Sequence, residues 1–112
     1  MINDCICAIS TFLSESAISI VRMSGDGCFD ILKKISDLKE IEPNTIKYAH
    51  IYDGKELVDE VLISIFKAPK SYTREDMVEI NCHGGVFVTR KILNILLSNG
   101  AWQILFLQQW LI

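Results

Sequence analysis

The residues of this sequence with the widest chemical repertoire are four cysteines and two histidines. Cys5 and Cys7 would lie on the same face of one strand, and Cys82 is followed directly by His83. A zinc site built from these four residues is conceivable, but their spacing matches no common zinc pattern and no Cys-x-x-Cys pair occurs. We favour small buried side chains in a reducing cytosol, so that no metal ligand is predicted and a cytoplasmic location is expected.

The glycines after His83 offer a second kind of chemistry. Gly84 and Gly85 precede a strongly apolar helical segment, and two glycines allow the backbone to approach a ligand closely. A helix N-terminus also favours anions. The alternative, which we favour, is a tight strand-to-helix turn. His83 would then support residues that contact a ligand without contacting the ligand itself. His50 is expected to be a packed or surface histidine without a catalytic role.

No part of the sequence carries the residues of a self-contained enzyme. The Gly-x-x-x-x-Gly-Lys-[Ser/Thr] loop that binds nucleotide phosphates is absent, so this chain is not expected to hydrolyse a nucleotide by that mechanism. There is no evident nucleophile with a neighbouring base, and no pair of carboxylates placed for acid–base catalysis. We therefore predict no catalytic residue in this chain.

The elements that must position these residues follow from the spacing of apolar side chains. The order β-β-α-β-β-β-α predicts an α+β fold, with two main helices packed on a mixed or antiparallel sheet. The segment 57–66 is apolar on both faces, which predicts a strand covered on both sides. The predicted strands are 2–10, 17–23, 45–52, 57–66 and 77–81, and the predicted helices are 28–35 and 86–98.

Four shorter signals refine this outline. Asp53-Gly54 is typical of a hairpin turn, and Asn99-Gly100 is typical of a helix end. Asp26 is predicted to cap the first helix. Residues 73–76 have the spacing of a capping box and predict a short helical turn.

Composition limits the classes of partner. The 112 residues carry a formal net charge of −3, and the basic clusters Lys33-Lys34 and Arg90-Lys91 are short. Both clusters are explained as solvated faces of helices. This segment is therefore not expected to supply most of the contacts with a nucleic acid. No apolar run is long enough to cross a membrane, and the first residues lack the pattern of a secretion signal.

Three stretches together resemble one known family. They are residues 4–10 with 17–25, residues 48–51 with 58–62, and the most specific one, residues 68–85 with the sequence APKSYTREDMVEINCHGG. These stretches are similar to the N-terminal folate-binding domain of the tRNA-modification GTPases MnmE, also called TrmE. The resemblance covers residues 1–101, which are predicted to form the domain, whereas residues 102–112 form an apolar tail that does not fit the family.

The resemblance implies a fold similar to the folate-binding part of the glycine-cleavage aminomethyltransferases (GcvT-like). It also implies a homodimer that binds 5-formyl-tetrahydrofolate or a related one-carbon folate. In the full-length family protein a GTPase domain, absent from this chain, uses GTP, Mg²⁺ and K⁺. That protein acts with a flavoprotein of the MnmG (GidA) type on the wobble uridine of tRNA.

The resemblance places Arg22 and Glu79 at positions that contact the folate. A carboxylate can accept hydrogen bonds from the pterin amino group and the neighbouring ring N–H at once. Arg22 could hold a pterin oxygen or a folate carboxylate. With His83 and Gly84 these residues form the predicted cofactor-binding set. The alternatives are an exposed strand residue for Glu79 and a surface cation lying over the sheet for Arg22.

Two departures from the family support a competing hypothesis. Residues 11–16 contain no Pro or Gly, although the family usually has both in this loop. Residues 102–112 lack the polar motif that follows in the family, which suggests a reading-frame shift or a truncated gene product. The tail could pack as an edge strand, extend a dimer interface or cause aggregation. The competing hypothesis is a non-enzymatic remnant that keeps only the fold and dimerisation.

Overall fold

The computed structural model describes residues 5–10, 18–71, 73–83 and 85–103. Its elements are β1 (Ile6–Ile9), β2 (Ser19–Ser24), α1 (Cys28–Ile35), β3 (Thr45–Asp53), β4 (Glu56–Phe66), β5 (Met77–Cys82), α2 (Gly85–Ser98) and β6 (Trp102–Gln103). The loop 11–16, Gly84 and the tail from residue 104 onward lie outside the described residues.

The strands form one six-stranded sheet in the order β3-β4-β5-β2-β1-β6. Every neighbouring pair is antiparallel except β1 with β6, which is parallel. The predicted α+β class with a mixed sheet and two helices is therefore confirmed. The short strand β6 is an addition to the predicted order, and it pairs Trp102 with Ile6 at the edge of the sheet.

Both helices pack on one face of the sheet. Helix α1 buries Ile31, Leu32 and Ile35, which recur at helical spacing. The buried side chains of both helices join those of Val21, Ile63 and their neighbours in one apolar cluster. The opposite face of the sheet carries no helix among the described residues, and we call it the helix-free face.

Strand β4 corrects one prediction. Val61, Ile63 and Ile65 are buried toward the helices, but Leu62 on the helix-free face keeps 50% of its surface exposed. The sequence predicted cover on both faces because Leu62 is apolar. The apolar side chain of Leu62 on the helix-free face of β4 therefore belongs to an exposed surface and not to a second core.

The ends of the helices confirm one prediction and correct another. Helix α2 ends at Ser98, and Gly100 adopts a left-handed φ of 110° while the Ala101 N–H returns to the Leu96 carbonyl at 3.1 Å. Helix α1 begins after Gly27, which has a φ of 87°, and no side chain caps it. The predicted Asp26 cap is therefore wrong, because a left-handed glycine turn occupies that position.

The segment before β5 is also not helical as predicted. Residues 73–76 form a turn and a bend, and their hydroxyl and carboxyl groups bond within the loop and to β2 instead of capping a helix. The predicted hairpin between β3 and β4 is confirmed, with Gly54 at a φ of 63°. None of the described helices is long and apolar enough to span a bilayer.

The connection after α1 is tied to the edge strand β3 by one acidic side chain. Asp37 accepts a hydrogen bond from the His50 backbone N–H at 2.9 Å, and its second oxygen lies 2.7 Å from His50 Nδ1. These hydrogen bonds hold the pKa of the Asp37 carboxyl below its ordinary value, and the bond from the His50 backbone N–H has the largest effect. His50 is thus a half-buried surface residue with a structural partner.

Replacing Asp37 by Asn should change how stability depends on pH. Because the folded pKa is depressed, the stabilisation by the carboxylate is complete above the ordinary value of 3.8 and is lost as the pH falls through the folded value. The difference in free energy of unfolding between the native protein and D37N should therefore be larger at about pH 6 than at about pH 3, measured by urea denaturation. The matched control is E40Q, because Glu40 is exposed and forms no hydrogen bond or ion pair with another described residue. A pH-independent difference for D37N would contradict this assignment.

Candidate ligand-binding face

Two neighbouring strands place the predicted pair Arg22 and Glu79 side by side on the helix-free face. Strands β2 and β5 are antiparallel, and their register pairs Arg22 directly with Glu79. The residues on either side of Arg22, Val21 and Met23, point into the core. The alternation of β2 therefore directs Arg22 away from the helices.

The two side chains form an ion pair with a defined geometry. Arg22 Nη2 lies 2.5 Å and Nε lies 2.8 Å from Glu79 Oε2. The side chains are only 19% and 18% exposed, so the pair is partly shielded from water. Both bonds reach Oε2, and Oε1 has no hydrogen-bond partner among the described residues. The carboxylate is held in place with one oxygen available as an acceptor.

An apolar surface surrounds this pair. Four of the large apolar side chains that remain half or more exposed follow the alternation of the helix-free face: Ile18, Ile46, Tyr48 and Leu62. A cavity of about 280 Å³ opens among three of them, and its polar lining comes from Glu60, Asn81 and His83. Asn81 donates its amide to the Leu62 carbonyl at 3.2 Å, which leaves its own oxygen as an acceptor. The face thus combines apolar contact area with few fixed polar groups, as ligand and protein interfaces do.

The structure does not bring His83 to the ion pair. His83 follows β5 and lies four residues beyond Glu79, roughly 13 Å along an extended chain. Its backbone N–H donates to Asp59 at 3.2 Å, and its Nδ1 lies 3.4 Å from the same carboxylate. His83 lines the cavity, whereas Arg22 and Glu79 do not, and Gly84 lies outside the described residues.

A contact that sequence reasoning missed lies one step from Arg22 along β2. The Ser24 hydroxyl, fully buried, is 2.6 Å from the Thr73 hydroxyl in the loop between β4 and β5. Ser24 shares the face of Arg22 by the strand period, and Thr73 belongs to the most specific stretch of the sequence. These two facts could have drawn attention to Ser24 and Thr73. The sequence could not show that these residues, 49 positions apart, contact each other.

Comparison with known proteins assigns this arrangement to a family. Residues 5–104 match the model of the GTP-binding protein TrmE N-terminus. The chain belongs to this family. The resemblance of three separate stretches is thereby confirmed over most of the sequence.

Individual relatives of the TrmE family agree with this assignment. The chain is 51% identical over 109 residues to the tRNA modification GTPase MnmE of Thermoanaerobacter pseudethanolicus, with 90% of this chain and 24% of the relative covered. It is 53% identical over 103 residues to the protein of the same name from Lactobacillus gasseri, with 88% and 22% covered. The chain therefore spans about a quarter of the length of the curated relatives it matches.

The four cysteines of this TrmE N-terminal chain are buried and make no disulfide. Among the described residues, no group of three or more His, Cys, Asp and Glu side chains could hold a metal ion. Burial, with a smaller effect of Cys5, raises the pKa of Cys7 to about 12, and burial raises the pKa of Cys82 to about 11. Contact with Cys5, followed by burial, also raises the pKa of Cys28. The interpretation as small buried side chains is confirmed.

The buried thiols should be unreactive in the folded protein. Because their pKa values are raised and their sulfur atoms are inaccessible, we expect reaction with Ellman's reagent at neutral pH on the order of a hundredfold slower than for a free thiol. In guanidinium chloride all four cysteines should react at the free rate. A cysteine that reacts at the free rate without denaturant would show that its burial is wrong.

The Arg22–Glu79 pair should show a measurable coupling. In a double-mutant cycle of R22A and E79A we expect about 1 kcal/mol in the free energy of unfolding, above typical exposed pairs because both side chains are shielded. The matched control is Lys47–Glu42, which has a 2.6 Å contact but is 33% and 54% exposed. That pair should couple more weakly. Equal coupling in the two cycles would contradict the shielding seen for Arg22 and Glu79.

Proposed function

We propose that this chain is a folate-binding and dimerisation module of a tRNA-modification GTPase. The observation that carries the folate part is the Glu79 carboxylate, which Arg22 fixes through Oε2 while Oε1 has no hydrogen bond within the described part of the chain. The relatives' name supports the tRNA-modification part. The preferred ligand is 5-formyl-tetrahydrofolate or a related one-carbon folate.

The chemistry of the pterin ring fits this site. One edge of the ring presents an amino group and a ring N–H, both of which are donors, and a carboxylate accepts from donors with stronger bonds than a neutral group does. Arg22 fixes the carboxylate before the ligand arrives, so that little side-chain entropy is lost on binding. Ile18, Tyr48 and Leu62 supply apolar area for the flat rings.

The dimer part of the proposal rests on the exposed apolar side chains of the same face. Ile18, Ile46, Tyr48 and Leu62 are between 50% and 68% exposed. A concentrated apolar patch on a soluble domain commonly marks a contact surface. A second copy related by a two-fold axis would cover the patch with the same side chains and shield the folate site from water.

The remaining activities would belong to the three quarters of the relatives that this chain does not span. We place there the GTPase with GTP, Mg²⁺ and K⁺, and the contacts with tRNA and an MnmG-type flavoprotein in the cytoplasm. The net charge of −3 supports a minor role for this segment in holding tRNA. Residues 1–101 would form the module. Residues 102–112 would be the tail that does not fit the family, although its first two residues, Trp102 and Gln103, pair with β1 at the edge of the sheet.

A second candidate is a remnant that keeps the fold and dimerisation without folate binding. Two features of the sequence favour it. Residues 11–16 lack the Pro and Gly of the family loop, and residues 102–112 lack its polar motif. The titration described next separates the two candidates.

Calorimetric titration of 5-formyl-tetrahydrofolate into the chain tests the folate part. We expect binding by the native protein and a loss of at least about tenfold in affinity for E79Q, because one charged acceptor for two donors is removed. The matched control is E56Q, which removes a carboxylate that bonds Lys91 at 2.8 Å on the helix side. E56Q should bind like the native protein. A folded native protein without binding would instead support the remnant.

Sedimentation equilibrium tests the dimer part. L62K places a charge in the apolar patch and should shift the protein toward monomers, because burying an unpaired ammonium is costly. The matched control is F87K on α2, where Phe87 is 76% exposed on the helix layer. F87K should leave the dimer intact. A monomeric native protein, or equal effects of the two variants, would contradict a dimer through the helix-free face.

A further inference from the structure

The loop between β4 and β5 is held together by its own side chains. The Asp76 carboxylate accepts a hydrogen bond from the Ala68 N–H at 2.9 Å and lies 3.4 Å from Lys67 Nζ, which closes the neck of the loop. The Ser71 hydroxyl donates to the Glu75 carbonyl at 2.5 Å. The described residues of this loop, 67–71 and 73–76, therefore form a closed unit.

A hydrogen bond between two described side chains joins the middle of the loop to the sheet. The Thr73 hydroxyl lies 2.6 Å from that of Ser24, and the Thr73 oxygen also accepts from the Glu75 N–H at 3.4 Å. Ser24 and Met77 are buried although they lie on the helix-free face. The loop thus packs over this end of the face.

The contact is adjacent to the candidate site. Ser24 follows Arg22 by two residues in β2, and Met77 precedes Glu79 by two residues in β5. Each step of two residues is about 7 Å along a strand, so the loop borders the ion pair. The helix-free face is consequently walled at this end by the loop and open toward Leu62 at the other.

The Ser24–Thr73 bond is not needed to close the loop. The two ends of the loop are already joined by the hydrogen bond from the Ala68 N–H to the Asp76 carboxylate. The Asp76 carbonyl also accepts a hydrogen bond from the Gly25 N–H at 2.9 Å, which ties this end of the loop to the residue after β2. What the hydroxyl pair adds is the position of the middle of the loop over the sheet. Loss of the Thr73 hydroxyl leaves the buried Ser24 hydroxyl without this partner, which favours a loop that moves away so that water can reach Ser24.

We propose that Ser24 and Thr73 are positioning residues for the ligand site. Their bond holds the loop against the helix-free face as one wall of the site, where the loop adds contacts to a bound ligand and slows its release. The inference rests on the proposed folate-binding function for the identity of the ligand. The placement of the loop itself does not depend on that function.

The test compares T73V with T73S in the complete chain. Valine keeps the shape of threonine and removes the hydroxyl, whereas serine keeps the hydroxyl. We expect T73V to bind 5-formyl-tetrahydrofolate at least about fivefold more weakly, the effect of one ordinary hydrogen bond, mainly through faster release in stopped-flow measurements. T73S should stay within about twofold of the native protein. S24A should repeat the effect of T73V.

Limited trypsin digestion reports the loop independently of any ligand. Lys67, Lys70 and Arg74 are exposed in the loop, and cleavage there should be faster in T73V than in T73S. A role in overall stability alone would lower the unfolding midpoint without raising loop cleavage or ligand release under native conditions.

The outcomes separate this inference from the proposed function. If the native protein binds no folate, the proposed function fails, and the digestion alone decides whether the hydroxyl pair positions the loop. If T73V is digested at the same rate as T73S, or if folate binds both with equal affinity and release rate, the inference is overturned.

Discussion

The features of this molecule depend on a sheet that, over residues 5–10, 18–71, 73–83 and 85–103, carries helices on one face and none on the other. Two helices are enough to bury one side of six strands, and the apolar residues Val21, Ile63 and Ile80 belong to that single core. The other face keeps apolar side chains such as Leu62 and Tyr48 in water. Such exposure costs free energy in an isolated domain, and its retention is understandable if a ligand or a second copy covers the face.

The Arg22–Glu79 ion pair on the helix-free face matters for its geometry more than for its contribution to stability. A partly buried ion pair contributes little net stability, because desolvation of the two charges offsets much of their attraction. Its value lies in geometry, since the arginine fixes the carboxylate through one oxygen, and the other oxygen has no hydrogen bond to any residue that the structure describes. A charge that is already placed and partly dehydrated binds donors with a smaller reorganisation cost than a free side chain does.

Much of this structure could be predicted from the sequence because it depends on local periodicity. Helix α1 has the predicted bounds, and β4 differs by one residue, since its apolar pattern is regular. The face of Arg22 follows from the alternation of β2. The sequence could not show that Leu62 is exposed, because an apolar residue in a strand is consistent both with a second buried core and with an exposed interface. It also could not pair Ser24 with Thr73, because a contact between distant hydroxyls leaves no periodic signal.

An NMR titration of the isotope-labelled chain with 5-formyl-tetrahydrofolate would locate the binding face, because every backbone amide reports its own surroundings. If ligand binds to the helix-free face, the largest shift changes should cluster on β2 and β5 around Arg22 and Glu79, with small changes on α1 and on the outer side of α2. Changes centred instead on the cleft between the helices, which Lys34, Lys91 and Asn94 line, would contradict binding to the helix-free face.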